Sequence, residues 1–168
     1  LCGAGIIGIS FGGLLLGAER SMLAGIVQNH HQVLKSKRSM RIGINGLGRI
    51  GRLAIRAIQN HPTLRLVHVN DVAGDAATHA HLLAFDSVHG FWDVPVAVDG
   101  HDLVINQKQI RVTSAKTLED ADFGDCDLVL ECTGQFKTVD ALKPYLDAGI
   151  LQVVVSAPIK VPEVLNIV

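Results

Sequence analysis

From residue 41 the chain alternates short apolar runs with stretches whose apolar residues recur every three or four positions. RIGIN (41–45) reads as a strand that runs directly into Gly46-Leu47-Gly48-Arg49-Ile50-Gly51. The spacing predicts a helix over 49–60, with Ile50, Leu53, Ala54, Ala57 and Ile58 on one side and Arg49, Arg52 and Arg56 on another. His61-Pro62 ends it. LRLVHVN (64–70) is a second strand, residues 76–84 a short helix, and FDSVHGFW (85–92) a loop. VPVAV (94–98) and DLVIN (102–106) flank Asp99-Gly100, a pair suited to the positive φ angles of a tight hairpin, and KQIRVTS (108–114) follows as another strand. DLVLECT (127–133) is almost continuously apolar, as a parallel strand covered on both faces should be. A helix over 138–147, the strand LQVVVSA (151–157) and the start of a strand at VLNIV (164–168) complete the pattern.

This alternation predicts an α/β domain built on a twisted, mostly parallel sheet with helices on both faces and a β-hairpin insertion. In such sheets ligands gather at the carboxyl ends of the strands. Those ends carry residues 45–50, Asn70-Asp71, Cys132-Thr133-Gly134 and Ser156-Ala157-Pro158, all on one edge. The spacing G-x-G-x-x-G at 46–51 lies between a strand and a helix, where glycines permit a tight turn and the helix start faces a pyrophosphate. Asp71 follows at the end of the next strand, about 20 residues beyond Gly51, where a Rossmann unit holds the adenosine ribose hydroxyls. A carboxylate there repels a 2'-phosphate, which favours NAD over NADP. The competing reading is that Asn70-Asp71 only turn the chain.

The same glycine spacing occurs at residues 3–8, GAGIIG, but only Leu1 and Cys2 precede it, so no strand delivers it. Residues 1–18 carry no charge and approach the roughly 20 apolar residues of a membrane span. Gly8/Gly12 and Gly13/Gly17 have the spacing of packed membrane helices, yet this much glycine disfavours helix. A signal peptide fits poorly, because the basic cluster KSKR (35–38) follows the apolar stretch instead of preceding it. The expectation is that 1–39 is an apolar, glycine-rich and basic extension, disordered or non-native, with a membrane anchor as the alternative. The chain begins with Leu and Met40 stands just before the first strand pattern, so the native start is expected at or near Met40. Residues 40–168 then form the folded domain.

The net charge of -1 argues against nucleic acid as a partner. Three cysteines without metal-ligand spacing suit free thiols in a reducing compartment. Cys126 sits in ADFGDCD, where carboxylates raise its pKa, and Cys132 reads as a packing residue at a strand end. His79 and His81 fall on different faces of a helix with no third ligand in view. No residue is read as catalytic, and no metal is expected.

INGLGRIGR (44–52), VND (69–71), DSVHG (86–90), ECTG with Phe136 (131–136) and SAP (156–158), in that order, resemble the NAD-binding domain of the glyceraldehyde-3-phosphate dehydrogenase family over about 41–168. The resemblance implies a Rossmann-type, doubly wound domain with NAD as cofactor. It implies that Asn45, Gly46, Gly48, Arg49 and Ile50 bind the pyrophosphate and its flanks and that Asp71 holds the adenosine ribose. Lys116 would stand near the adenine, Thr133, Gly134 and Phe136 near the nicotinamide, and Ser156 and Ala157 on the opposite wall. AHLLAFDSVHGFW (80–92) and SAPIKVPEVLNIV (156–168) are similar to the bacterial branch encoded beside arsenate-efflux transporters, and erythrose-4-phosphate dehydrogenase is a related possibility. Family chemistry needs a nucleophilic cysteine in an SCTTN-like motif, and no such string occurs in the chain. The expectation is therefore an NAD-binding domain truncated at its C-terminus, without the catalytic domain and inactive alone. A small phosphorylated aldehyde would be its substrate, a homotetramer its assembly and the cytoplasm its place, all in full-length form, with no nucleic-acid or membrane partner. The alternative is a non-catalytic, membrane-tethered nucleotide-binding protein.

Overall fold

The computed structural model describes residues 5–9, 39–86, 90–157, 159 and 165–167. The strands are β1 (Gly5–Ile9), β2 (Met40–Asn45), β3 (Leu64–Asn70), β4 (Phe85–Asp86), β5 (Gly90–Phe91), β6 (Val96–Asp99), β7 (Asp102–Ile105), β8 (Lys108–Thr113), β9 (Leu128–Glu131), β10 (Gln152–Val155) and β11 (Leu165–Ile167). The helices are α1 (Arg49–Gln59), α2 (Ala76–Ala84), α3 (Leu118–Ala121) and α4 (Val139–Asp147). Nine strands join in the order β11-β1-β10-β9-β2-β3-β8-β7-β6. The pairs from β11 through to β8 are parallel, whereas β6, β7 and β8 form an antiparallel meander at one side.

Side chains of a strand point alternately to its two faces, and both faces of this sheet are covered. On one face Ile42, Ile44, Leu66, Leu128, Leu130 and Val154 pack with Ala54, Ile55 and Ile58 of α1. On the other, Val129, Val153 and Val155 pack with Leu142 and Tyr145 of α4 and with Phe123 and Cys126. That double cover explains the unbroken apolar run of β9. Gly43 faces the second layer, where a Cβ would come within 2.7 Å of the Phe123 ring.

The elements expected from periodicity are found within a few residues of their expected ends. The Asp99-Gly100 turn is present, with Gly100 at φ 60°. A second tight turn follows at Asn106-Gln107, both at positive φ (49° and 64°), and joins β7 to β8. The expected loop 85–92 contains a two-residue ladder, Phe85 opposite Phe91 and Asp86 opposite Gly90; Ser87, Val88 and His89 lie outside the described residues. The short helix α3, capped by the Thr117 hydroxyl accepting from the Asp120 N–H, was not signalled by apolar spacing.

The largest departure lies upstream. Gly5–Ile9, in the stretch expected to be disordered or non-native, is a strand between β10 and β11, with Gly5 to Gly8 in register with Gln152 to Val155. Ile7 enters the α1-side core at 2 % exposure, and Ile6 packs on the opposite layer. Two adjacent isoleucines thus serve both faces, which glycine content alone does not foretell. The first G-x-G-x-x-G is accordingly extended chain over its described part.

One buried group in α2 stands out. His79 is 3 % exposed, neither ring nitrogen has a partner, and burial lowers its pKa. An unpaired buried polar group opposes folding. His79→Leu is therefore expected to stabilise the chain by about 1 kcal/mol, read as a higher urea midpoint; a lower midpoint would show that the ring is satisfied after all.

Candidate functional site

β2 delivers the chain to Gly46, whose φ of 94° suits glycine and whose N–H donates to Asn70 O at 2.8 Å. A Cβ at Gly46 would lie 2.8 Å from the Thr133 backbone nitrogen. Gly48 is the N-cap of α1, with no side-chain cap and no acidic residue in the first turn. The first N–H groups of a helix lack internal partners and carry the positive end of its dipole, so this start is open to an anion. Arg52 Nη1 donates to Leu47 O at 3.0 Å and pins the turn from inside the helix.

Asp71 closes the second side. Its two carboxylate oxygens accept from the Leu47 N–H at 2.5 Å and the Ala73 N–H at 2.7 Å, which fixes the side chain against the glycine turn. Between these walls lies a cavity of about 490 Å³ at the carboxyl edge of the sheet. That volume falls within the range of small-molecule sites.

A row of polar side chains forms its floor. Thr113, Asn70, Asn45 and Glu131 stand in register on four adjacent strands, β8, β3, β2 and β9. Glu131 is fully buried and accepts from Asn45 Nδ2 (2.9 Å), the Tyr145 hydroxyl (2.7 Å), the Thr133 N–H (2.8 Å) and the Thr133 hydroxyl (2.5 Å). Asn45 Oδ1 accepts from Asn70 Nδ2, and Asn70 Oδ1 from the Thr113 hydroxyl and the Ala115 N–H. His68 ends the row, its Nε2 2.9 Å from Thr113 Oγ1; burial, then Arg111, lowers its pKa to about 4. Burial and the Glu131 carboxylate push the Tyr145 phenol up.

Of the residues singled out from sequence, Asn45, Gly46, Gly48, Asp71, Lys116, Thr133 and Phe136 line the cavity. Gly134 is exposed at φ 70°, between Thr133 and Gln135, which both line it. Arg49 is exposed at the first position of α1, and Ile50 packs its side chain against the core. Ser156 and Ala157 follow β10 outside the lining; the Ser156 N–H donates to Glu131 O at 2.9 Å and Ala157 packs on the second layer. Asn70 and Cys132, placed at the ligand edge by the sequence but given no binding role, also line the cavity, as do Val72, Ala115, Thr117, Leu118 and Gln135, which the sequence did not single out. Pro158 is outside the described residues.

Neither of the described cysteines, Cys126 and Cys132, is primed as a nucleophile. The Cys126 thiol is pushed up to about 12, chiefly by burial, with Arg41 opposing and Asp125 and Asp127 reinforcing. The carboxylates expected to dominate are thus secondary to desolvation. Burial, then Glu131, pushes Cys132 to about 12 as well.

A mostly parallel α/β sheet, a glycine turn opening a helix at its carboxyl edge and an acidic residue at the end of the next strand define a Rossmann-type dinucleotide-binding domain. The family model described as "Glyceraldehyde 3-phosphate dehydrogenase, NAD binding domain" matches residues 40–139. The chain is 46 % identical over 132 residues to glyceraldehyde-3-phosphate dehydrogenase 3 of Nostoc sp., covering 77 % of this chain and 39 % of that protein. It is 46 % identical over 125 residues to glyceraldehyde-3-phosphate dehydrogenase of Geobacillus stearothermophilus (73 % and 37 %). It is 40 % identical over 123 residues to the cytosolic enzyme of Trypanosoma brucei brucei (72 % and 37 %). The chain belongs to the glyceraldehyde 3-phosphate dehydrogenase family as its NAD-binding domain, and spans 37–39 % of the length of these three relatives.

Proposed function

We propose that the cavity at the carboxyl edge holds NAD, and that the intact protein is an oxidoreductase of the glyceraldehyde-3-phosphate dehydrogenase type. The observation that carries this reading is the fixed pair of glycine turn and Asp71 around one cavity. A Cβ on Gly48 would meet nothing within 4 Å, so its absence leaves the cavity-lining backbone accessible to a ligand. The pyrophosphate lies at the start of α1, with Asn45, Gly46, Gly48, Arg49 and Ile50 around it, and its charge is met by first-turn N–H groups. Asp71 receives the adenosine ribose hydroxyls on carboxylate lone pairs that its two backbone bonds leave free. In this proposal Lys116 borders the adenine end, Thr133, Gly134 and Phe136 approach the nicotinamide side, and Ser156 and Ala157 close the opposite wall.

When bound, NAD accepts a hydride from the substrate. In this reading a small phosphorylated aldehyde is the hydride source, and phosphate, or arsenate in the arsenate-linked branch, takes up the acyl group. Neither Cys126 nor Cys132 is given the nucleophile's role in this reading, because burial pushes both thiols up. Homotetrameric assembly in the cytoplasm belongs to the same proposal. Among the described residues no helix is long and apolar enough to cross a membrane.

Asp71→Ala tests the assignment. It removes the ribose acceptor and the carboxylate that repels a 2'-phosphate, so NAD should bind at least about tenfold more weakly, equivalent to about 1.4 kcal/mol. The NAD-over-NADP preference should shrink in parallel. Calorimetric titration with both nucleotides decides; an unchanged NAD affinity would move the site elsewhere.

A further inference from the structure

Glu131 ends the row of polar side chains that crosses four strands, and it alone in that row can only accept hydrogen bonds. Each of its oxygens faces a group that can only donate: Oε1 the Thr133 N–H at 2.8 Å, and Oε2 the Asn45 Nδ2 at 2.9 Å. The hydroxyls of Thr133 and Tyr145 give each oxygen its second bond. Because Asn45 turns its nitrogen to Glu131, its Oδ1 is left for Asn70 Nδ2. Asn70 in turn presents Oδ1 to the Ala115 N–H and the Thr113 hydroxyl. The orientation of both amides thus follows from the carboxylate, from β9 across to β8. Asn45, Asn70, Ala115 and Thr133, all held in this way, line the cavity. The Thr133 backbone also packs on the glycine turn, since a Cβ at Gly46 would lie 2.8 Å from its nitrogen.

We propose that Glu131 is the positioning residue of the cofactor cavity, its carboxylate setting the direction of the hydrogen bonds beneath the lining and so fixing the glycine turn against the segment after β9. The inference rests on the reading that this cavity takes the dinucleotide, and not on which part of the dinucleotide meets which wall. An amide in the same place cannot serve. Whichever way a glutamine lies, its NH₂ group meets the Thr133 N–H or the Asn45 amide nitrogen, and buried donors are left without an acceptor. Moving the carboxylate one strand across removes the conflict. When Glu131→Gln is combined with Asn45→Asp, the new carboxylate accepts from the new amide, from Asn70 Nδ2 and from the Tyr145 hydroxyl, while the amide oxygen keeps both Thr133 donors.

The test titrates the full chain with NAD and follows its urea denaturation for the wild type, Glu131→Gln, Asn45→Asp and the two combined. Glu131→Gln should lower the urea midpoint and, without urea, weaken NAD binding by about tenfold. Asn45→Asp alone sets two carboxylates against each other and should also lower the midpoint. Added to Glu131→Gln, the same substitution should act in the opposite sense, raising the midpoint and regaining NAD affinity. A space-filling role for Glu131 gives no such reversal, because both substitutions keep the side-chain shape. If far-UV circular dichroism shows Glu131→Gln unfolded, a combined variant that folds and binds NAD supports the inference, and one that stays unfolded overturns it. A folded Glu131→Gln with wild-type NAD affinity also overturns it, as does a combined variant that regains the midpoint without the affinity, and the cofactor reading survives both. A wild type that does not bind NAD removes that reading, and the role of Glu131 with it.

Discussion

Gly51→Ala is expected to destabilise the domain by about 3 kcal/mol or more and to abolish measurable NAD binding. A Cβ at Gly51 would lie 2.0 Å from Gly46 O and 3.0 Å from Gly46 C, so the obstacle is backbone and not the movable end of a side chain. Nor is Gly46 free to retreat. Its N–H is bonded to Asn70 O, and a Cβ at Gly46 would already touch Thr133, so the turn is wedged between β3 and the segment after β9. Relief requires α1 to move away from β2 and uncover Ile44, Ile55 and Ile58, each at most 2 % exposed. Gly48→Ala supplies the contrast. Nothing lies within 4 Å of that Cβ, so stability should change by less than about 1 kcal/mol, while the new methyl enters space the pyrophosphate needs. Urea denaturation and NAD titration of the two variants should therefore separate, one losing fold and ligand together and the other losing ligand alone. A wild-type midpoint for Gly51→Ala would mean that the turn and helix are not packed this closely.

The turn was legible in the sequence because its signals are local: a strand, three glycines at fixed spacing, an amphipathic helix and Asp71 at the next strand end. Context sufficed to choose 46–51 over 3–8. The floor of the site was less legible. Asn70 looked like a turn residue beside Asp71, yet its side chain bonds Asn45, Thr113 and Ala115 from three other segments. Glu131 stands in a motif without an assigned role, although the one charged residue of the apolar strand Leu128–Glu131 was the available signal: an anion in a doubly covered strand needs donors. Which donors depends on the lateral order of β2, β3, β8 and β9, and periodicity along the chain does not state that order. The wall at Thr117 and Leu118 escaped for another reason, since four residues of helix carry too few apolar positions to show a period. Cys126 illustrates a third limit. Neighbouring carboxylates are visible in sequence, whereas the burial that dominates its pKa arises from Phe123 and the second layer.

Ile7→Asp should cost about 3–5 kcal/mol, the penalty for an unpaired charge in a core. The variant weighs the fold against the expectation that residues 1–39 lie outside the domain. Ile7 is 2 % exposed, opposite Val154 of β10 on one side and Leu165 of β11 on the other. Its partners lie more than a hundred residues along the chain, so no local window could disclose the pairing. If 1–39 is a dispensable tail, the aspartate simply sits in solvent and the urea midpoint of the full chain stays where it is. If β1 completes the sheet, the midpoint falls, and the effect reaches the site. β10 lies between β1 and β9, and the Ser156 N–H just past its end holds the backbone oxygen of Glu131. Loosening β1 should therefore weaken NAD binding even at urea concentrations where most chains remain folded, which a tail without contacts has no means to do.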